Sequence, residues 1–150
     1  MKKITLFSDG SALGNPGPGG YGVILRYKDT QKELFGSDPY TTNNKMELKG
    51  VIEGLKALKE PCDVLVVSDS SYVVKGINEW LKNWIQRDFK KVKNPDLWKE
   101  YIEVAKPHKI TAQWVRGHDG HEENERCDTL ARTAAQQLQE ALKNKRGEHA

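Results

Sequence analysis

The order of hydrophobic patterns along the 150 residues predicts an α/β fold on a mixed five-stranded sheet flanked by helices. Three observations lead there. The first forty residues carry apolar runs of strand period, separated by short turn-rich stretches. The period then switches to that of a helix. Beyond it, apolar strand-like runs alternate with helical segments, which is the signature of parallel crossover connections. A hairpin-like start joined to helix-separated strands gives a sheet with both antiparallel and parallel pairs.

Each element has its own warrant. "ITLFSD" alternates and stops at "GSALGNPGPGG", where Gly and Pro punctuate the chain as a loop. "YGVILRYKD" and "KELFGSD" read as the next two strands, with a polar turn at "KDTQ". In "TTNNKMELKGVIEGLKALKE", Leu48, Val51, Ile52, Leu55 and Leu58 recur on one helical face, with Thr42 or Asn43 as cap. "DVLVVSD" is a continuous apolar run, as for a strand covered on both faces. "SSYVVKGINEWLKNWI" returns to helical period and is expected to bury Val73, Ile77, Trp80, Leu81 and Trp84. "NPDLWKEYIEVAK" has a cap-like Asn94, Pro95 at the first helical position, and Leu97, Tyr101, Ile102 and Ala105 in register. "KITAQWV" is the fifth strand, "RGHDGHEEN" a loop, and "ENERCDTLARTAAQQLQEALKNK" a last amphipathic helix. Neither repeat nor linker interrupts residues 1–143, so they read as one domain, and 144–150 read as a disordered tail.

Composition narrows the function classes. A chain of this length buries a real core. No apolar run approaches the roughly 20 residues of a membrane helix, and the start "MKKITLFSDG" is too broken for a signal peptide. Cys62 and Cys127 form no spaced framework, which suits small buried thiols in a reducing, cytoplasmic setting. The net charge of +3 is mild but uneven. Between Lys75 and Lys99 seven Lys/Arg face three acids, leaving the rest of the chain at −1. A cationic segment of this kind suits phosphate backbones, against the plainer reading of a solvated face.

The chemistry centres on acids. "LFSDGS" at Leu6 to Ser11 and "VVSDSS" at Val66 to Ser71 each end an apolar run in Ser and then a bare Asp. In open α/β sheets, sites form at the carboxyl ends of parallel strands, so Asp9 and Asp69 converge if their strands lie side by side. One such Asp alone is more simply a turn or cap residue. Glu47 lies one position off the apolar stripe of the first helix, and Asp128 beside Cys127 and Leu130 on the inner face of the last. A solvated flank is the plain alternative for each. Gathered together, four carboxylates demand a hard divalent cation with oxygen ligands, magnesium or manganese.

Two motifs are set aside. "GPGGYG", Gly17 to Gly22, matches a dinucleotide-binding pattern, but it leads into the alternating "VILRY" rather than a helix. Its glycines are read instead as conformational, or as allowing close approach of a ligand backbone. His118 and His121 have zinc-like spacing without the Cys or His pair that would complete a tetrahedral set.

Taken in order, "FSDGSALGNPGPGGYG", "TTNNKMEL", "VSDSSYVVKGINEW", "NPDLWKE" and "WVRGHDGHEENERCDTLAR" resemble the type 1 ribonuclease H family at the family's spacing, up to about Ala135. The resemblance implies the ribonuclease H-like fold and hydrolysis of the RNA strand of RNA–DNA hybrids, leaving 5′-phosphate and 3′-hydroxyl ends. It implies Asp9, Glu47, Asp69 and Asp128 as the acids that hold two magnesium ions (manganese substituting), with Asp9 touching both. It makes His118 an aid to proton transfer or product departure. It gives Asn15, Asn43 and Asn44 contacts in the shallow groove, and Thr42 a DNA phosphate. Trp80 and Trp84 match positions along the DNA-strand channel, although their helical spacing equally suits burial. The segment from Lys82 to Lys93, with Lys90, Lys91 and Lys93, resembles a basic protrusion that grips the hybrid. The expected partner is the hybrid duplex alone, bound by a monomer. Two departures stand out: "IQRDFKKVKNPD" is several residues shorter than in familiar bacterial members, and Ser71 stands where a Gln is expected. A shorter side chain there leaves a contact to be lost or bridged by water. The rival readings are a catalytically silent hybrid-binding module and a DNA-cutting nuclease on the same fold.

Overall fold

The computed structural model describes residues 1–116 and 121–148, with side chains described as far as Lys145. Strands β1 (Lys2–Ala12), β2 (Gly17–Tyr27) and β3 (Thr30–Thr41) form an antiparallel meander. Helix α1 (Asn43–Lys56) then crosses over to β4 (Cys62–Ser68), which pairs parallel to β1. Helices α2 (Ser71–Lys75), α3 (Leu81–Gln86) and α4 (Pro95–Ala105) lead to β5 (Lys109–Trp114), parallel to β4, and α5 (Glu122–Glu148) closes the chain. The sheet order is β3-β2-β1-β4-β5, the mixed five-stranded sheet that the sequence predicts. No helix among the described residues is long and apolar enough to cross a membrane.

Period-two alternation divides the strands between two cores. Ile4, Leu6, Val64 and Val66 point to the face covered by α1 and α4, where they meet Leu48, Val51, Ile52, Leu55 and Trp98. Phe7 and Val67 point to the other face and pack with Ile24, Val115 and Cys127 beneath α5. Thr42 caps α1 by accepting from the Lys45 N–H at 3.3 Å, a contact worth about 1 kcal/mol. The four aliphatic side chains of its inner face are each worth roughly 1.5–3 kcal/mol on burial, so packing rather than capping fixes this helix.

Helix α5 is seated by small residues. Its Cys127, Ala131, Ala134 and Ala135 are buried. A Cβ at Gly20 would lie 2.4 Å from the Ala131 carbonyl oxygen, and one at Gly22 2.3 Å from that of Cys127. Gly20 and Gly22 of "GPGGYG" therefore admit the protein's own last helix, while Gly19 is crowded by Thr41 and Ser11. Ion pairs of Arg126 with Glu33 (2.7 Å) and of Arg26 with Glu123 flank this contact. They are half-exposed and worth at most about 1 kcal/mol each.

Four expectations are corrected. Strand β1 runs three residues past Asp9, and β2 begins at Gly17, so the expected loop shrinks to residues 13–16. The helix after β4 is interrupted by a π-helical turn, Gly76–Trp80, in which Leu81 N–H reaches the Gly76 carbonyl. That turn shifts later side chains out of α-helical register, and Trp80 is left 36% exposed instead of buried. In α4 the buried stripe is Trp98 and Tyr101 rather than one led by Leu97, and Asn94 occupies the cap position without a side-chain capping bond. Finally, α5 runs to Glu148, three residues beyond the expected end of the last helix at Lys145.

Candidate active site

Strand pairing delivers the first two acids. The parallel register of β1 and β4 ends at Phe7 opposite Val67. Asp9 and Asp69 each lie two residues further on, so they occupy equivalent places where the two strands part. Asp69 is held from behind. Val115 N–H donates to the Ser68 carbonyl at 3.0 Å, Ser70 N–H to Ser68 Oγ at 3.1 Å, and Trp114 Nε1 to the Asp69 carbonyl at 3.0 Å.

Glu47 comes from α1, pressed close to β1. Ser8 Oγ donates to its carbonyl oxygen at 3.2 Å. A Cβ at position 10 would lie 2.4 Å from the Glu47 nitrogen, so only glycine allows the approach. Ligand atoms of Asp9, Glu47 and Asp69 all lie within 4.8 Å of one another. Asp9 and Glu47 are 8% and 9% exposed, and Asp69 is half-buried.

Like charges so close and so poorly hydrated resist ionisation. Burial, then the charge of Asp69, pushes the Asp9 carboxyl up to about 7. Burial, then the charge of Asp9, drives Glu47 well above the usual carboxylate range. The two share a hydrogen bond that favours the proton on Glu47. Glu47 Oε2 is buried with no hydrogen-bond partner among the described residues.

The donor set fits a hard divalent cation. Such ions bind oxygen at about 2.0–2.6 Å, so oxygens sharing one ion lie within roughly 5 Å of each other, as here. A cation would neutralise the cluster and give Glu47 Oε2 its missing partner.

Asp128 joins less fully than expected. It lines the same cleft, of about 330 Å³, with Asp9, Glu47, Asp69 and Asn43, and its charge helps raise the Asp9 pKa. It stands outside the three-carboxylate group, and Arg132 Nε, one turn along α5, donates to its Oδ2 at 2.9 Å.

On the rim, Ala12 N–H donates to Asn43 Oδ1 at 2.6 Å, and Asn43 N–H to Asn15 Oδ1 at 3.0 Å. Both amide oxygens are thus engaged by backbone, leaving the NH₂ groups of Asn15 and Asn43 as donors. Asn44 is exposed beside them, and the Thr42 hydroxyl is occupied as the cap. Ser71 opens α2, exposed and outside the cleft lining. Trp80 and Trp84 lie with ring centroids 5.7 Å apart, tilted by 45°, and Trp84 meets the buried Trp98 at 5.1 Å, so this pair forms a partly exposed aromatic edge. Lys90, Lys91 and Lys93 are exposed on the link after α3, where Asp88, Phe89 and Lys91 adopt positive φ. His118 lies outside the described residues.

Sequence reasoning passed over Trp114 and Asn124. The readable signal for Asn124 was its place: the buried stripe of Cys127, Ala131 and Ala135, carried one turn towards the helix start, falls on an amide.

The comparisons agree with this architecture. A family model described as RNase H matches residues 1–136. The chain is 72% identical over 141 residues to a Ribonuclease H of Sulfurovum sp., covering 94% of this chain and 96% of that protein. It is 58% identical over 136 residues to a Ribonuclease HI of Helicobacter pylori, covering 91% and 95%. Among solved structures, LC9-RNase H1, described as a type 1 RNase H with the type 2 active-site motif, matches with a TM-score of 0.83 at 35% identity, covering 90% of this chain and 72% of that one. With the mixed sheet, the converging acids and matches along nearly its whole length, the chain belongs to the RNase H family.

Proposed function

We propose that this protein is an endoribonuclease that hydrolyses the RNA strand of RNA–DNA hybrids with magnesium as its cofactor, manganese substituting. The observation that carries the reading is the group formed by Asp9, Glu47 and Asp69, whose ligand atoms lie within 4.8 Å of one another and whose buried members are driven towards protonation. A module that merely bound hybrid would gain nothing from acids that repel phosphate.

Asp9, Glu47 and Asp69, with Asp128 from α5 across the same cleft, would hold the ions. Divalent ions held there would supply activation of the attacking water and charge stabilisation at the leaving 3′-oxygen. The protein's own share is positional. Packing of α1 on β1 and the Trp114 and Val115 contacts fix three carboxylates on separate elements, so little reorganisation accompanies reaction.

The remaining contacts follow the surface. Asn15, Asn43 and Asn44 offer amide donors to groove edges and 2′-hydroxyls, and Thr42 a phosphate contact. Trp80 and Trp84 border the DNA strand. Lys90, Lys91 and Lys93 meet backbone phosphates, Ser71 reaches the hybrid through water, and His118 assists proton transfer or product release. Residues 1–143 act as one domain, as a monomer in the cytoplasm, where the buried free thiols Cys62 and Cys127 suit a reducing medium.

The test is cleavage of a hybrid with end-labelled RNA, in magnesium and in EDTA, beside duplex DNA of the same sequence. RNA-strand cuts bearing 5′-phosphates, abolished by EDTA and by Asp9→Asn, are expected. Hybrid binding without turnover by the folded, magnesium-supplied protein would leave only a binding module. Duplex DNA cut as fast as hybrid would make it a DNA nuclease.

A further inference from the structure

Both polar atoms of the Asn124 side chain, Oδ1 and Nδ2, are buried with no hydrogen-bond partner among the described residues. They belong to a residue that lines the acidic cleft with Asp9, Glu47, Asp69 and Asp128. A buried amide normally finds partners for both ends, because leaving them unmade is costly.

Position rules out an accidental surface amide. Asn124 lies four residues before Asp128 and three before Cys127, so it shares the inward face of α5 with a half-buried acid and a fully buried thiol. The other core-facing members of that stripe are Cys127, Ala131, Ala134 and Ala135, every one apolar or a thiol. A leucine or alanine would continue the pattern with no polar atom left over. Asn124 also differs from the amides across the cleft, since the oxygens of Asn15 and Asn43 are already engaged by backbone N–H groups. Five of the nine other residues that line this cleft carry carboxylates, which accept but do not donate when ionised. A ligand suited to this neutral donor and acceptor carries a bare oxygen together with a bound water, which describes a hydrated phosphodiester.

We propose that Asn124 is a further catalytic residue: its amide Nδ2 donates to an oxygen of the reacting phosphodiester, and its Oδ1 accepts from the accompanying water. This rests on the hybrid-cleaving reading above. The bonds that the amide does not make among the described residues are then completed by substrate, and without substrate their cost falls on the protein. That cost separates a catalytic from a structural role, since removing a structural amide destabilises the fold whereas removing this one does not.

The experiment compares wild type with Asn124→Leu, nearly isosteric and apolar, and Asn124→Ala. Three quantities are read: melting temperature in EDTA, manganese affinity by calorimetry, and kcat/KM on an RNA–DNA hybrid. The expected result is a melting temperature in EDTA equal to or above wild type in at least one variant, manganese affinity within about threefold, and kcat/KM lower by at least roughly tenfold in both, mostly in kcat. Wild-type turnover by both variants would overturn the proposal, as would a drop of several degrees in EDTA for both, which would reveal a structural partner. Failure of the wild type itself to cut the hybrid would remove the functional reading and this inference with it. Loss confined to the variants bears on Asn124 alone.

Discussion

Asp9→Asn separates the cost of the acidic cluster from its use. The Asp9 carboxyl is moved from its ordinary 3.8 to about 7, chiefly by burial and then by Asp69. A carboxyl raised in the folded state gives stability that is fully present below pH 3.8 and lost as pH climbs to about 7. Above that, the ionised group costs up to about 4 kcal/mol relative to the unfolded chain. Asparagine keeps the shape and the oxygen that accepts from Gly10 N–H, and it removes the charge. In EDTA at pH 8 the variant is therefore expected to be more stable than wild type. Protons can redistribute among Glu47 and Asp69, so 4 kcal/mol is a ceiling. Half of it still raises the melting temperature by roughly 4–8 °C. At pH 5, where wild-type Asp9 is already mostly protonated, the gain shrinks to roughly a third of its full size. Excess magnesium should stabilise wild type, by about 2.7 kcal/mol at a hundredfold over its dissociation constant, and leave the variant nearly unmoved. Calorimetric melts at the two pH values, with and without magnesium, supply every quantity. A variant that melts at or below wild type at pH 8, or whose advantage is the same at pH 5, would show that Asp9 is not electrostatically strained.

The remaining predictions probe what surrounds the cluster. His108 Nδ1 accepts from the Cys62 N–H at 3.0 Å, and burial lowers its pKa, so stability is lost as pH falls from 6.5 towards the folded value. An NMR titration of its ring should give a midpoint below 6.5, and a midpoint above it would contradict the geometry. Gly22→Ala places a Cβ 2.3 Å from the Cys127 carbonyl, so α5 must shift. A loss of about 1–3 kcal/mol by urea denaturation, with reduced turnover, is expected. Trp114→Phe deletes the donor to the Asp69 carbonyl. Loss of about 1 kcal/mol should weaken manganese binding roughly fivefold by calorimetry while leaving the fold intact. Replacing Lys90, Lys91 and Lys93 with Gln should raise KM and lower the slope of log affinity against log salt by up to about 3. An unchanged slope would remove that link from the interface.

Much of this was readable because two physical signals are local. The matched runs ending at Asp9 and Asp69 announce parallel strands, and the stripe from Leu48 to Leu55 announces the helix that brings Glu47. What escaped depends on partners distant in sequence. The continuation of β1 to Ala12 is invisible in "GSALGNPGPGG" because the glycines that look like loop residues are the ones that let α1 and α5 lie against the sheet. Trp98 was passed over in favour of Leu97 because a one-residue rotation of α4 is decided by Gly76, whose missing Cβ leaves room for the indole 22 residues later. Asp128 was placed on the correct face, but its bond to Arg132, only four residues away, was not weighed. Asn124 was passed over because its place one turn before the buried Cys127 matters only once the seat of α5 is known.

These failures and successes point to how the acids are held. Carboxylates do not attract one another, so the cluster must be imposed by something larger than the cost of holding them, which for an ionised Asp9, through burial first and then the charge of Asp69, reaches about 4 kcal/mol. Leu48, Val51, Ile52 and Leu55 on α1 alone offer roughly 6–12 kcal/mol of apolar burial. The small-residue seat of α5 on Gly20 and Gly22 adds to it. The acids ride on elements docked for other reasons, and Asp9, Glu47 and Asp69 come from three of them, so no single local rearrangement relieves the stress. An acid on a mobile loop would swing away or take up a proton. Here packing exceeds repulsion by enough that the protein keeps, before substrate arrives, the constellation that binding cations and phosphate requires.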